Sequence, residues 1–210
     1  MSVADIITSI SVAIAAISFV MGITAWKREF IGKRKIELAE SLLAVFYEAE
    51  DAIKEIRSPF SYVGEGKTRK RSENELEEQS ELLDRAYIVF ERYQKREELF
   101  AQLRATKYRA MASFGAKASE PFDEIGKILK EIFLAANMLA TQYWPRQGYR
   151  HLTEEQFLQN RGQMEHYEAI FWYMGEEKDE IGRRAHKAIK AIENIAREEI
   201  EGKVANRLRR

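Results

Sequence analysis

The chain has 210 residues, with 34 Lys and Arg balanced by 34 Asp and Glu, and no cysteine. This length fits one domain or a domain with an appendage, and zero net charge gives no overall attraction to nucleic acid, so no nucleic-acid partner is expected. The lack of cysteine excludes a disulfide framework and a thiolate metal site. A composition dominated by Ala, Leu, Ile, Glu, Lys and Arg, with three prolines, favours helices.

The N-terminal segment predicts a transmembrane helix. From Ile6 to Trp26 there are 21 residues without a charge, and as a helix they reach about 31 Å, close to the thickness of a bilayer's hydrocarbon core. Trp26 ends the segment, where an indole suits the headgroup layer, and the basic juxtamembrane segment 27–35 follows. Because positive charge stays on the cytoplasmic side, we expect residues 1–26 to be a single-pass anchor in a bacterial-type inner cell membrane. The N-terminus would lie outside and residues 27–210 in the cytoplasm.

A cleaved signal peptide and a buried core helix are the alternatives for this segment. A signal peptide needs a basic N-terminal flank, a shorter apolar core and a small-residue cleavage site. Here Asp5 leaves the N-terminal flank nearly neutral, and the positive charge lies after the apolar stretch. The asymmetry favours an uncleaved anchor, and so many consecutive uncharged residues disfavour a core helix.

The anchor and the segment behind it carry two sets of candidate contact residues. Small side chains recur at steps of three and four, and in lipid such a stripe allows helices to approach closely. The candidate membrane-helix contacts are Ser11, Ala15, Ser18 and Gly22. The candidate contacts to anionic lipid are Lys27, Arg28, Lys33, Arg34 and Lys35. The lipid bilayer is therefore an expected partner and a homo-oligomer a further one, although small residues are also common in spans of this length.

Residues 36–210 are predicted to form a helical bundle. Apolar residues at three- and four-residue spacing favour helices at about 36–57, 73–114, 119–144, 153–174 and 180–207. The expected boundary signals are Ser58-Pro59 as a stop, capping boxes at Ser72/Glu75 and Thr153/Gln156, and Ser119 as a cap before Pro121. Short loops favour antiparallel neighbours. The predicted fold class is all-α: a single N-terminal transmembrane helix followed by a cytoplasmic antiparallel bundle of four to five long helices, with coiled-coil character.

The loop after the first bundle helix contains a misspaced phosphate-binding pattern. The sequence Gly64-Glu65-Gly66-Lys67-Thr68 has Ser61 where the motif needs its first glycine, and no strand precedes it. We therefore expect no nucleotide there. The basic cluster Lys67, Arg69, Lys70 and Arg71 is interpreted as a solvated loop whose charge answers the acidic start of the next helix. Contact with lipid or with a partner is the alternative.

The remaining chemistry-bearing residues predict no catalytic, cofactor-binding or metal-binding site. His151, His166 and His186 are too scattered for a metal triad, and no Glu-x-x-His pair suggests a di-iron bundle. The run Ile170–Met174 is apolar all around a helical turn, more than one buried face requires. Central burial is the favoured interpretation; a partner patch at Phe171, Trp172 and Tyr173 is the alternative.

The sequence predicts a membrane-anchored helical interaction or tethering protein that engages itself or a cytoplasmic protein partner. Confinement to a surface raises effective concentration without strong contacts. One alternative is a membrane-linked effector or enzyme whose site lies between bundle helices, for which His166 and Glu168 would have to converge on a cleft. The other is a protein that binds anionic lipid at the membrane surface.

Overall fold

The computed structural model describes residues 3–146, 153–175 and 178–208, with side chains described as far as residue 198. Six α-helices account for most of these residues: α1 Val3–Ile56, α2 Glu77–Lys95, α3 Glu97–Phe114, α4 Glu120–Met138, α5 Glu154–Phe171 and α6 Glu180–Leu208. A 3-10 turn, Ala116–Ser119, precedes α4, and a π turn, Leu139–Tyr143, with a 3-10 turn, Trp144–Arg146, extends it. No strand occurs in the described ranges, and the predicted all-α class is confirmed.

The chain divides into two compact units, the first made of Met1–Ser41 with Ala196–Arg210. Every described residue from 3 to 31 is exposed in this unit. Within the described chain, α1 is the one helix long and apolar enough to cross a membrane, and none of its apolar stretch is buried. Among the residues of this unit whose side chains are described, the buried apolar ones are Leu38, Ala39 and Ala196. The predicted anchor and the predicted helix 36–57 are therefore parts of one continuous helix.

The second unit, Leu42–Ile195, contains most of the buried apolar residues. Helix α4 is central to it and contacts α2, α3 and α5. Its buried face includes Ile125, Ile128 and Ile132, which are fully enclosed. Phe46 of α1 meets Phe122 of α4 edge to face, with ring centroids 4.8 Å apart. Burying a side chain of this size contributes about 1.5–3 kcal/mol, so these contacts hold the helices together.

The predicted start of the helix over 73–114 is wrong. Helix α2 begins at Glu77, and its N-cap is Leu76, which makes no side-chain capping bond. The backbone N–H of Ser72 does donate to the Glu75 carboxylate, but that carboxylate also accepts from Arg69. The arginine holds Glu75 in a turn ahead of the helix, so the Ser72/Glu75 pair shapes a loop and does not cap α2.

The same predicted helix is also interrupted near its middle. Arg96 separates α2 from α3 with φ −113° and ψ 12°, and its N–H donates to the carbonyls of Tyr93 and Gln94. Its guanidinium donates to the Glu55 carboxylate at 2.6 Å. Neither glycine nor proline marks the break, so a contact with α1 and the tightened turn fix a boundary that local sequence does not show.

The later boundary predictions have mixed outcomes. The Thr153/Gln156 capping box is present with both reciprocal bonds. Ser119 is not a cap: it is itself helical, and its hydroxyl donates to the carbonyl of Ala116 at 2.9 Å. Helix α5 ends at Phe171, before the predicted 174, because Trp172 is extended and the N–H of Tyr173 donates to the carbonyl of Arg57 at 2.7 Å.

Candidate functional site

An open cleft of ≈ 820 Å³ lies in the second unit, between the α1–α2 loop (residues 57–76), α2 and the segment that follows α5. Apolar side chains in it come from Ile88 on α2 and from Trp172 and Tyr173 after α5. The loop contributes Lys67, and the start of α2 contributes Glu77, Glu81 and Asp84. The cleft therefore combines an aromatic wall with charges of both signs.

Arg92 of α2 fixes the shape of the loop beside the cleft. This side chain is buried, with 5% of the residue exposed. Its guanidinium donates to the backbone carbonyls of Ser58 at 2.7 Å and Phe60 at 2.6 Å, and it contacts both carboxylate oxygens of Glu65 at 2.8 Å. It also reaches the carbonyl of Glu55 at 3.1 Å, at the end of α1. Arg92 thus satisfies a carbonyl at the C-terminal end of α1 and also binds Ser58, Phe60 and Glu65 in the loop that follows.

A second arginine pair holds the far side of the loop. Arg69 donates to Asp84 at 2.9 Å and also pairs with Glu75, while Arg71 donates to Asp84 at 2.7 Å. Arg71 reaches Glu77 as well, at 3.6 Å. The basic cluster therefore does answer acidic residues at the start of α2, as the sequence indicated. Two of its four positive charges, those of Arg69 and Arg71, are thus paired with carboxylates of the loop and of α2.

These contacts shift the pKa values of two loop carboxylates downward. Hydrogen bonds from Arg69 lower the pKa of Glu75 to about 2. Hydrogen bonds from Arg92 lower the pKa of Glu65, against the opposing effect of burial. Both groups are therefore anionic at neutral pH and act as structural acceptors rather than as proton donors.

Gly66 allows the loop to lie against α2. It has φ 85°, and a Cβ there would collide with the carbonyl oxygen of Asp84. Its N–H donates to the Glu91 carboxylate at 2.7 Å. The glycine-rich pattern that weakly suggested phosphate binding therefore serves close packing, and at least one of its amides is already used.

Arg57 and Asp179 form a buried ion pair near the other end of the loop. Arg57 has 0% and Asp179 1% exposure, and their atoms Nη1 and Oδ2 are 2.7 Å apart. The same guanidinium donates to the carbonyls of Ala169, Ile170 and Trp172, which end α5. Arg57 thus satisfies carbonyls that the helix itself leaves open, as Arg92 does for α1.

The aromatic wall of the cleft continues into a cation–π cluster. The Arg85 guanidinium carbon lies 4.7 Å from the Trp144 ring centroid and 5.7 Å from that of Trp172. The indole N–H of Trp144 donates to the Glu168 carboxylate at 2.9 Å. Trp144 also meets Phe171 edge to face at 5.6 Å. These contacts hold the segment after α5 in place, and its residues Trp172 and Tyr173 line the cleft.

The residues singled out from the sequence differ in their exposure. Ser11, Ala15, Ser18 and Gly22 are all exposed on α1, and so are Lys27, Arg28, Lys33 and Arg34, whereas Lys35 is half-buried. Phe171 is fully buried, which removes it from any partner patch. Trp172 and Tyr173 are half-buried and line the cleft. The structure brings these two together with the α1–α2 loop, an association that the sequence did not predict.

His166 and Glu168 lie in different environments on α5. His166 is exposed, and Glu168 accepts a bond from Trp144. His151 lies outside the described residues. Among the residues that are described, no three His, Asp or Glu side chains are grouped so that they could hold a metal ion.

Sequence reasoning missed Arg57, Arg92, Asp179 and the cleft itself. A buried arginine has no local signature, because its partners come from positions 27 or more residues away. The one available signal was the absence of a glycine cap after α1, which leaves helix carbonyls that some distant donor must satisfy.

No protein-family model matches the chain, and no curated protein or solved structure matches it either.

Proposed function

We propose that the chain is a membrane-anchored helical interaction protein, in which α1 crosses the bilayer and the second unit engages a protein partner. The observation that carries this proposal is the exposure of every described residue from 3 to 31, a stretch that includes the 21 uncharged residues. Each large apolar side chain left in water costs about 1.5–3 kcal/mol relative to burial. A bilayer removes that cost.

The charge around α1 supports an orientation with the N-terminus outside and the second unit in the cytoplasm. The side chains of Lys27, Arg28, Lys33 and Arg34 are exposed directly after the apolar stretch. The positive-inside rule favours the cytoplasm for that end of the span. A helix of this kind near an N-terminus also fits a signal sequence, which cleavage would remove from the mature chain.

The core supports tethering over catalysis. The largest fully buried side chains are mostly aliphatic or aromatic, and the buried arginines are used in helix closure. His166, which an enzymatic site between helices would use together with Glu168, is exposed, whereas Glu168 accepts a hydrogen bond from Trp144. The cleft is a surface suited to a partner, since it pairs an aromatic wall with a charged rim.

Cysteine accessibility tests the anchor and its orientation, because the natural chain has no cysteine. We compare Ala4→Cys, before the apolar stretch, with Val63→Cys, on the exposed loop, using a membrane-impermeant maleimide on intact cells. Ala4→Cys should label in intact cells and Val63→Cys only after permeabilisation. The chain should also resist carbonate extraction and keep its full mass.

Three outcomes would contradict the proposal separately. Labelling of Val63→Cys in intact cells contradicts the orientation. Release by carbonate contradicts the anchor. Loss of the N-terminal segment from the mature chain shows a cleaved signal sequence.

A second candidate function, binding of anionic lipid at the membrane surface, is favoured by an aromatic and basic face on α1. The rings of Trp26 and Phe30 stack with centroids 5.7 Å apart, and the Arg34 guanidinium carbon lies 5.7 Å from the Phe30 centroid. Indoles and cations together suit the headgroup layer. Lys33→Gln/Arg34→Gln should reduce the anionic lipid that copurifies with the chain, and unchanged lipid content would argue against this function.

Self-association of the anchor is a further part of the proposal, through Ser11, Ala15, Ser18 and Gly22. A small-residue stripe allows backbones to approach in lipid. Ala15→Leu/Gly22→Leu should weaken crosslinking within the membrane, and an unchanged pattern would exclude the stripe as the contact.

A further inference from the structure

The turn beside the cleft presents large apolar side chains to solvent. Phe60 is 83% exposed and Tyr62 86% exposed, and Val63 is completely exposed. We call residues 60–63 the exposed turn. Isolated exposed apolar residues are common, but three such residues within four positions form a patch that suits a protein interface.

Buried contacts hold the exposed turn in place. Arg92 binds the carbonyl of Phe60, and the Glu65 carboxylate held by Arg92 accepts from the N–H of Tyr62 at 3.2 Å. The N–H of Glu65 in turn donates to the carbonyl of Tyr62 at 3.1 Å. Because these hydrogen bonds fix the backbone at both ends of the exposed turn, its aromatic side chains remain in solvent. The turn is therefore pre-organised for contact.

The exposed turn does not fill the cleft of its own chain. Pro59 and Ser61 line the cleft, whereas the alternate residues Phe60 and Tyr62 do not line it and are exposed. The turn and the cleft are thus neighbouring halves of one surface, one projecting and one concave.

The charges at the cleft are self-complementary. Lys67 and Glu81 both line it and are exposed, and neither side chain forms an ion pair with another residue in the described part of the chain. One cation and one anion on the same surface can each meet the opposite charge when two identical surfaces face each other across a two-fold axis. The same surface disfavours binding to an anionic membrane, because the carboxylates of Glu77 and Glu81 are both exposed there.

We propose that the cleft receives the exposed turn of a second copy of this chain, and that the two copies exchange turns across a two-fold axis. Phe60 and Tyr62 of one copy would contact the aromatic wall made by Trp172 and Tyr173 in the other, and Lys67 of each copy would pair with Glu81 of the other. The inference deepens the proposed function, since it names the protein partner as a second copy. Confinement of both copies to one membrane raises their effective concentration and favours the pair.

A crosslinking experiment on full-length chains in membranes tests the pairing. Two differently tagged variants, Val63→Cys on the turn and Met174→Cys in the cleft, are coexpressed and treated with a short bismaleimide. The heterologous crosslink should exceed, several-fold, that of a control pair in which Tyr108→Cys replaces Met174→Cys. Tyr108 is 72% exposed on α3 and does not line the cleft. A yield equal to the control overturns the proposal.

Charge exchange provides a second measurement with a restoring variant. Lys67→Glu should lower the crosslink about fivefold, since two symmetric ion pairs are lost. Glu81→Lys should do the same, and the double variant Lys67→Glu/Glu81→Lys should restore the yield. Phe60→Ser should also lower it, while the folded helix content is unchanged. A double variant no better than either single one would refute the ion pairs and with them the two-fold arrangement.

The outcomes separate this pairing from the proposed anchor. The same crosslinks are measured with Ala15→Leu/Gly22→Leu in the anchor, where we expect the turn-to-cleft product to persist. Control-level crosslinking in chains that still resist carbonate extraction refutes the pairing alone. Crosslinking of the turn to a different protein instead of a second copy also overturns it. Release of the chain from the membrane refutes the proposed function.

Discussion

At the scale of single residues, two buried arginines replace the local signals that usually end helices. Arg57 closes α5 and Arg92 closes α1, each by donating to several backbone carbonyls and to a carboxylate. A carboxylate left without its arginine would be a buried, unpaired charge, which is far more costly than an exposed one. Removing either arginine should therefore destabilise the second unit, although its core is mostly apolar.

Arg92→Met tests how much this arginine contributes to stability. The substitution leaves Glu65 and the carbonyls at the end of α1 without their donor, and we expect the free energy of unfolding to fall by about 3–5 kcal/mol. Urea unfolding of the detergent-solubilised chain, followed by circular dichroism, measures the change. Arg104→Met is the control, because Arg104 is exposed and makes one hydrogen bond, to Tyr93. Equal losses in the two variants would contradict the assignment.

The lowered carboxylate pKa values predict a decline in stability at acid pH. Arg69, Arg92 and Arg184 lower the pKa of Glu75, Glu65 and Glu131 respectively. The folded chain thus binds these protons more weakly than the unfolded chain, in which Glu titrates near 4.5. The contribution of these three groups to the free energy of unfolding should be fully present above that pH and should be lost as pH decreases towards about 2, the folded value for Glu75.

Glu75→Gln isolates one part of this acid dependence. The variant should show a flatter decline between pH 4.5 and about 2, because the proton uptake of that group is removed. Glu73→Gln changes an exposed neighbouring residue and should follow the natural chain. If both variants decline alike, Glu75 is not the group responsible.

At the scale of elements, two candidate caps from the sequence behave differently. Thr153 accepts from the N–H of Gln156 at 3.2 Å and starts α5, whereas Ser119 lies within helical backbone. Thr153→Ala should therefore cost about 1 kcal/mol and increase hydrogen exchange in the first turn of α5. Ser119→Ala should have a much smaller effect. Similar losses in both variants would contradict the difference between the two caps.

Sequence periodicity predicted the elements better than the boundaries. The apolar spacing located the helices because one face of each is buried, as at Ile125, Ile128 and Ile132. The break at Arg96 and the late start of α2 depend on Glu55 and Arg69, which come from outside the helix that they shape. The cleft was not predictable for the same reason. Its aromatic wall and its loop are separated by about a hundred residues and meet only in the folded chain.

At the scale of the whole molecule, we expect residues 3–31 of α1 to be dispensable for folding. No described residue from 3 to 31 is buried, so among the described residues a chain beginning at Gly32 loses no buried side chain. We expect this truncated protein to be soluble without detergent and to keep the helix content of the remaining residues, measured by circular dichroism and ultracentrifugation. A chain beginning at Phe46 also loses Leu38, Leu42 and Val45, which are buried, and should be markedly destabilised. Aggregation of the chain that begins at Gly32 would show that residues 3–31 have a packing role.

The closure of α1 by Arg92 links parts of the chain that would otherwise fluctuate independently. The carbonyls of Glu55, Ser58 and Phe60 all depend on one guanidinium carried by α2. The end of α1 and the exposed turn should therefore open and close together, as one cooperative unit in hydrogen exchange, rather than fray from the helix end. A molecule that immobilised the turn would raise the protection of amides in the last turn of α1, which it need not touch.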